Sequence, residues 1–182
     1  MKTQNIALYI LRLAVTLLLI TAIMAAALAG INQITAPKIA QLQEEKTQKA
    51  IAAVLPGGGE EIEFVDTTGL VQTVYAADSG YAVKVAPIGF DNTITMMVGV
   101  GKDGKVLGIS VISHTETAGL GAVAAADNSA GEAFRSQFVG MEGSVAVSKD
   151  GGQVDALTGA TITSRAVCVG INAALACVEN FE

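Results

Sequence analysis

The hydrophobic positions are concentrated near the start of the chain, where Leu13 to Ile31 contains no charged residue. As an α-helix this nineteen-residue segment would be about 28 Å long, close to the roughly 30 Å hydrocarbon core of a bilayer. The pattern predicts a transmembrane helix over residues 13–33 after a short N-terminal segment, residues 1–12. A cleaved signal peptide is the alternative, because Ala27–Ala29 resembles a cleavage site, but the length of the apolar run favours a retained anchor.

The basic residues around this segment predict its orientation. Lys2 and Arg12 lie before it, whereas the lysines that follow it are interspersed with acidic residues. Because basic residues are enriched on the cytoplasmic side of membrane helices, the bias predicts a cytoplasmic N-terminus. The rest of the chain would then lie outside the cytoplasm, held at the cell membrane by a single pass.

The spacing of apolar residues becomes helical and amphipathic after the predicted membrane segment. Ile39, Leu42 and Val54 fall near one face of a helix. This pattern predicts a stalk helix and linker over residues 34–59. Pro56–Gly59, which reads PGGG, would end the helix and mark the start of a globular domain over residues 60–182.

Short β-rich segments separated by turn residues follow in the first half of that domain. Asp78–Gly80 predicts a turn between two strands, residues 70–77 and 81–87. Thr93–Ser113 predicts the clearest hairpin, because Asp103-Gly104 is a strong hairpin-turn signal between β-rich flanks.

The second half of the domain is predicted to be mostly helical. Residues 122–138 have partly helical spacing with a break near DNSAG, and Val145–Gly152 reads as a further strand and turn. A final helix is predicted over Ser164–Asn180. Its buried stripe, at helical spacing, is Val167, Ile171, Leu175 and Val178. The order of strands, hairpin, helix, strand and helix predicts an α+β fold of short antiparallel strands and helices. No GxGxxG segment opens a βα unit, so a Rossmann nucleotide site is not expected.

Composition narrows the function classes. The formal net charge is −6, which argues against a nucleic-acid partner. Cys168 and Cys177 are nine residues apart on the predicted final helix, so they lie on opposite faces and cannot pair with each other. A single histidine, His114, gives no metal-ligand cluster, and no metal is predicted.

Two polar loops carry the candidate chemistry. The first, Ser113–Gly121, reads SHTETAGLG, and its residue types alone favour an ordinary solvated loop over a functional one. The second surrounds TGATITS, where Thr161 or Thr163 could cap the final helix. The same helix N-terminus could instead bind a phosphate. Catalysis by these hydroxyls is not expected, because threonine is a weak nucleophile unaided and no base lies nearby in sequence.

Taken together, the two loops resemble those of the FMN-binding domain family. Asp155–Thr161, DALTGAT, resembles the flavinylation motif of that family. His114–Gly121, HTETAGLG, resembles its His-x-Glu-Thr-Pro-Gly-Leu-Gly loop, with Ala118 in place of the proline. The resemblance covers roughly residues 60–182. A chain with one membrane helix followed by such a domain is similar to the G subunits of Rnf ion-translocating ferredoxin:NAD oxidoreductases. It is also similar to the related C subunits of Na⁺-translocating NADH:quinone oxidoreductases. The short length of the chain favours the Rnf G subunits.

The resemblance implies a covalent cofactor. FMN would be joined by a phosphoester to Thr161, installed from FAD by a separate flavin transferase. With Thr161 esterified, Thr163 or Ser164 would cap the helix, and His114 would be loop scaffold. The residues implied to bind the cofactor are Thr161, Thr158, Gly159, Ala160, Thr163, Leu157, Glu116, Thr117, Leu120 and Gly121.

Each of these residues has an implied role. Thr158 and Thr163 would hydrogen-bond the phosphate, and Gly159 and Ala160 would leave room for the phosphate and ribityl chain. Leu120 and Leu157 would pack on the isoalloxazine ring. Glu116 and Thr117 would hydrogen-bond the flavin.

The implied function is that of a one-electron carrier within a translocase complex, with no complete catalytic activity alone. Its partners would be the other Rnf subunits, the flavin transferase during maturation, and the membrane. Two alternatives stay open. One is the equivalent flavin subunit of the quinone-reducing complex, and the other is a membrane-tethered binding or assembly module without redox chemistry.

Overall fold

The computed structural model describes residues 2–181 of the 182-residue chain. The chain divides between Glu45 and Lys46 into two compact units. The second unit therefore includes the last turns of the first helix, which the sequence assigned to the stalk, as well as the predicted globular domain.

The first helix, α1, runs without interruption over Lys2–Val54, with Pro37 inside it. The sequence predicted separate transmembrane and stalk helices, but the structure joins them. Proline removes a single backbone donor, and Ala36, Lys38 and Ala40 beside it are good helix formers, so the helical backbone continues past Pro37. The Thr35 hydroxyl also donates to the Ile31 carbonyl within this stretch, at 2.7 Å.

Two helices in the described part of the chain are long and apolar enough to cross a membrane. One is Ile6–Val54, whose most apolar window has a mean hydropathy of 2.4. The other, Thr161–Glu179, has 67% of its window buried inside the protein, as expected of a core helix. By composition and length, α1 is therefore the candidate for a single membrane anchor.

One five-stranded antiparallel sheet forms the centre of the second unit, with its strands in sequence order. The strands are β1 Glu60–Ile62, β2 Val71–Ala77, β3 Gly80–Val85, β4 Thr95–Gly101 and β5 Val106–Ser113. Both predicted hairpins are confirmed, and Gly104 in the β4–β5 turn has the left-handed backbone (φ 72°) that favours glycine.

The remaining elements confirm part of the helical prediction. They are a short 3₁₀-helix Gly121–Ala125, helix α2 Ser129–Ser136, a 3₁₀ turn Ser148–Asp150 (the 148–150 turn below) and helix α3 Thr161–Glu179. Asn128 caps α2 by accepting the Gly131 N–H at 2.9 Å, which accounts for the predicted break near DNSAG.

Two boundaries differ from the prediction. Val145–Gly152 is not a strand: Val147 makes an isolated parallel bridge to Val154, and the 148–150 turn follows. Helix α3 starts at Thr161 rather than Ser164, because the tight turn ends at Ala160 and the residues after it already have helical backbone geometry.

The sheet is covered on both faces. Helix α3 packs on one face, where its predicted stripe is fully buried against the β3 and β4 valines. The end of α1 packs on the other face, where Ile51, Val54 and Leu55 contact a cluster that includes Met97 and Ile112. A side chain at Gly99 would collide with the carbonyl of Val54, so the helix end approaches β4 closely. The fold is α+β, as predicted.

Leu55, the residue directly after α1, packs on the sheet together with the end of that helix and is a stability determinant. Because Leu55 is fully buried, Leu55→Ala should lower the free energy of unfolding by about 2–5 kcal/mol. Leu107→Ala, at a position that is 39% exposed, is the matched control and should cost no more than about 0.5 kcal/mol. Urea unfolding of the full chain in mild detergent, followed by circular dichroism, measures both. Equal losses would contradict this packing.

Candidate functional site

The two polar loops meet at the N-terminus of α3, around a cavity of about 300 Å³. Every predicted site residue except Leu157 and Thr158 lines it. The lining residues are Phe90, Glu116, Thr117, Leu120, Gly121, Lys149, Gly159, Ala160, Thr161, Ile162 and Thr163. The fold therefore brings together two segments about forty residues apart in sequence.

Ser164 holds the tight turn that leads into α3. Its hydroxyl oxygen accepts the Leu157 N–H and donates to the Ala160 carbonyl, both at 3.0 Å. The Ala160 N–H in turn donates to the Leu157 carbonyl at 2.9 Å. Gly159 has φ 74°, and an added Cβ would lie 3.0 Å from Leu120 Cδ2. Glycine is therefore favoured there by the left-handed backbone conformation, and a larger residue would displace the Leu120 side chain slightly.

The upstream end of the motif is fixed by one amide side chain. Gln137 Oε1 accepts the Asp155 N–H at 2.8 Å, and Gln137 Nε2 donates to the Asp155 carbonyl at 3.3 Å. The Asp155 side chain itself is exposed. Gln137 and Ser164, which both lie outside the cavity lining, thus fix the two ends of the motif.

No side chain caps α3, so the predicted caps by Thr161, Thr163 or Ser164 are wrong. The N-cap residue is Ala160, which has no capping side chain, and the first turn contains no acidic residue. The Thr163 hydroxyl bonds elsewhere, and the Ser164 hydroxyl serves the preceding turn. Because the first N–H groups of a helix have no intrahelical acceptor, the positive end of α3 borders the cavity without a side-chain cap, and the one carboxylate in the lining, Glu116, bonds to the Thr163 side chain.

Thr161, the first residue of α3, is half-buried and contacts a cation. Its Oγ1 accepts a hydrogen bond from Lys149 Nζ at 3.2 Å. The neighbouring Asp150 binds Arg165, one helical turn beyond Thr161, through two bonds of 2.7 and 2.6 Å. The Arg165 guanidinium lowers the pKa of Asp150 by hydrogen bonding. The 148–150 turn is therefore attached to the first two turns of α3.

Glu116 is a buried carboxylate, 7% exposed, that connects three segments. Its Oε2 accepts a short hydrogen bond from the Thr163 hydroxyl. Its Oε1 accepts the N–H groups of Phe90 and Asp91, at 2.8 and 3.3 Å. A Cβ at Gly121 would collide with this arrangement. The implied contacts of Glu116 and Thr163 with the flavin and its phosphate stay predictions, and in the structure these side chains bond to each other.

Apolar side chains surround the cavity. Phe90, Leu120 and Ile162 are 66%, 43% and 50% exposed and all belong to its lining. Of these, the sequence singled out Leu120 alone. Phe90 lies in Ala86–Ile94, which only loosely resembles a further family segment, and Lys149 carried no sequence signal, because the β-sheet and the 148–150 turn bring them to the site from outside the two motifs.

The other reactive side chains take no part in the cavity lining. Cys168 and Cys177 are both free and buried in α3. Burial raises the pKa of Cys168 to about 11 and also raises that of Cys177. Burial and a raised pKa make both thiols less reactive at neutral pH than an exposed cysteine. His114 lies outside the cavity lining, and its Nδ1 is buried with no hydrogen-bond partner among the described residues.

The Glu116–Thr163 contact leads to a prediction about stability. Thr163→Val should lower the free energy of unfolding by about 1–3 kcal/mol, because it leaves a buried carboxylate oxygen without its donor. The loss should be smaller in a Glu116→Gln background, which urea unfolding of the four proteins measures. Thr115→Val, on the exposed side of the same loop, is the control. Additive effects of the two substitutions would contradict the coupling.

Comparison with known proteins identifies the domain around this site. A family model described as FMN-binding domain matches residues 89–176, which include both loops. The chain is 32% identical to the G subunit of the ion-translocating oxidoreductase complex of Methanosarcina acetivorans over 180 residues, covering 91% of this chain and 93% of the relative.

Two further relatives have more specific names. The G subunit of the Na⁺-translocating ferredoxin:NAD⁺ oxidoreductase complex of Acetobacterium woodii is 30% identical, with 95% of this chain and 93% of the relative covered. The G subunit of the proton-translocating ferredoxin:NAD⁺ oxidoreductase complex of Clostridium ljungdahlii is 35% identical, with 85% and 83% covered. The chain, with its FMN-binding domain, therefore belongs to the family of G subunits of ion-translocating oxidoreductase complexes.

Proposed function

We propose that this protein is the electron-carrying subunit of an ion-translocating ferredoxin:NAD⁺ oxidoreductase, with FMN joined by a phosphoester to Thr161. The observation that carries the proposal is the position of the Thr161 hydroxyl. It lies at the uncapped N-terminus of α3, on the wall of the cavity, and contacts the Lys149 ammonium. The A. woodii and C. ljungdahlii relatives support the choice of ferredoxin and NAD⁺.

The residues around Thr161 fit a phosphate group. The positive end of a helix favours an anion, and no residue of the first turn of α3 is acidic. The Glu116 carboxylate in the lining already accepts hydrogen bonds from Thr163, Phe90 and Asp91. Because Gly159 has no side chain, the backbone of the turn can lie directly against a bound group. Thr158 and Leu157 lie outside the cavity lining, so we assign them weaker roles than Gly159 and Ala160.

The apolar part of the lining fits a flavin ring. Phe90, Leu120 and Ile162 offer exposed hydrophobic surface beside a polar interior, and sites with this composition are typical of cofactors. FMN would supply the one-electron chemistry, whereas the protein would set its position and exposure. Thr161 would hold it, and Thr117 would offer a hydroxyl at the edge of the cavity.

The membrane and the neighbouring subunits complete the proposal. The apolar part of α1 would anchor the chain, with the N-terminus in the cytoplasm and the domain outside it. The other subunits of the complex would contact the helix and the domain, and a flavin transferase would load FMN during maturation. A covalent link suits this location, because a dissociated flavin could not easily be replaced outside the cytoplasm.

Substitution of Thr161 tests the attachment site. Thr161→Ala should carry no covalent flavin, because the esterified oxygen is missing, whereas Thr161→Ser should retain it. Thr67→Ala removes an exposed hydroxyl outside both loops, should retain covalent flavin and is the matched control. Each variant is expressed with a flavin transferase and analysed by intact mass and by flavin fluorescence of the denatured protein. Covalent flavin on Thr161→Ala would refute the assignment.

A second test locates the domain relative to the membrane. Cysteine substituted at Lys102, in the exposed β4–β5 turn, should react with a membrane-impermeant maleimide in intact cells. Cysteine at Thr3 should react only after lysis. The native Cys168 and Cys177 give little background, because both are buried and have raised pKa values. The reverse pattern of labelling would place the domain in the cytoplasm.

A further inference from the structure

We propose that Lys149 is the cation that assists transfer of the flavin phosphate to Thr161 and then pairs with the resulting phosphodiester. This inference rests on the proposed attachment of FMN at Thr161. Its basis is the hydrogen bond of 3.2 Å from Lys149 Nζ to Thr161 Oγ1. Lys149 lies outside the motif that carries the family resemblance, and its role follows from the fold.

The backbone of Lys149 is fixed relative to α3. Asp150, the next residue, binds Arg165 on α3 at 2.6 and 2.7 Å. Within the turn, the Ser148 N–H donates to the Val154 carbonyl at 2.7 Å. Because Thr161 and Arg165 are four residues apart, they lie on one face of the helix. Two consecutive residues of the 148–150 turn therefore contact that face at successive helical turns.

Lys149 is the available cation at this end of the cavity. Among the residues that line the cavity, it is the one basic side chain, and Glu116 is the one acidic side chain. Glu116 already accepts hydrogen bonds from Thr163 and from two backbone N–H groups. The nearby Arg165 is paired with Asp150. Lys149 also lies within electrostatic range of Asp150, whose carboxylate oxygens are both bonded to Arg165, so an anion attached to Thr161 would meet the charge of Lys149.

The hydrogen bond suits phosphoryl transfer onto Thr161. In the reaction, Thr161 Oγ1 attacks the flavin-side phosphorus of FAD, so that a new O–P bond forms, the pyrophosphate bond breaks and AMP leaves. The hydroxyl proton passes to a base of the transferase, because an ammonium donates and cannot accept. A donor already directed at Oγ1 stabilises the negative charge that develops there. The phosphodiester product keeps one negative charge beside the same ammonium.

The rate of flavin attachment tests this role. The full chain in detergent is incubated with purified flavin transferase and FAD, and the initial rate of covalent labelling is measured. Lys149→Met should be roughly ten- to a hundredfold slower than the unsubstituted protein, the loss expected for a charge-assisted hydrogen bond. Lys149→Arg should recover most of the rate. Lys102→Met, at an exposed lysine far from the site in sequence, should leave it unchanged.

A second measurement separates electrostatic assistance from a structural role. In the labelled proteins, the phosphorus NMR shift of the phosphodiester should change for Lys149→Met and stay the same for Lys102→Met. The melting temperature should be unaffected in both, because the Lys149 side chain is exposed. A lowered melting temperature together with slow labelling of Lys149→Arg would assign Lys149 to the fold and overturn the proposal.

Different results would refute the role of Lys149 and the attachment of FMN to Thr161. If the unsubstituted protein gains flavin on Thr161 and Lys149→Met labels at the same rate, Lys149 has no part in attachment, but the proposed function stands. If the unsubstituted protein gains no covalent flavin, or gains it at another residue, the proposed function itself fails. The intact mass and the labelled peptide of the unsubstituted protein distinguish these results.

Discussion

The geometry of the site depends on one buried carboxylate. Glu116 lies in the loop after β5, and its oxygens receive the Thr163 hydroxyl from α3 and the N–H groups of Phe90 and Asp91. A buried charge is costly unless it is fully hydrogen-bonded. The three segments therefore have to meet in one arrangement, and the glycines at positions 89 and 121 provide the space for it.

The elements that the sequence predicted well are those whose signals are local. The hairpin turns and the buried stripe of α3 depend on neighbouring residues or on a fixed helical period, so both could be identified from the pattern alone. The start of α3 could not, because Thr161, Thr163 and Ser164 are compatible with either a cap or a first turn. The continuity of α1 through Pro37 was missed because a proline ends many helices but only weakens others.

The site was predicted in part for a related reason. The motif residues are contiguous, and the resemblance identified Thr161, Gly159 and the Glu116 loop together. The contacts of Lys149 and Phe90 with the cavity depend on the 148–150 turn and on the β3–β4 connection, which no local pattern specifies. The sequence has more hydroxyl groups at the start of α3 than one helix cap requires, and in the structure each has its own partner. Thr161 contacts Lys149, Thr163 contacts Glu116, and Ser164 closes the preceding turn.

The proposed tether and the end of α1 belong to one packed body. Helix α3, which begins at Thr161, covers one face of the sheet, and Ile51, Val54 and Leu55 cover the other. Neither helix can shift against the sheet without exposing buried apolar surface or opening close contacts such as that between Gly99 and Val54. A flavin attached at Thr161, as proposed, would therefore have a defined position relative to the last turns of α1. On the proposed function, any movement of the flavin would then involve this domain and those turns as a unit.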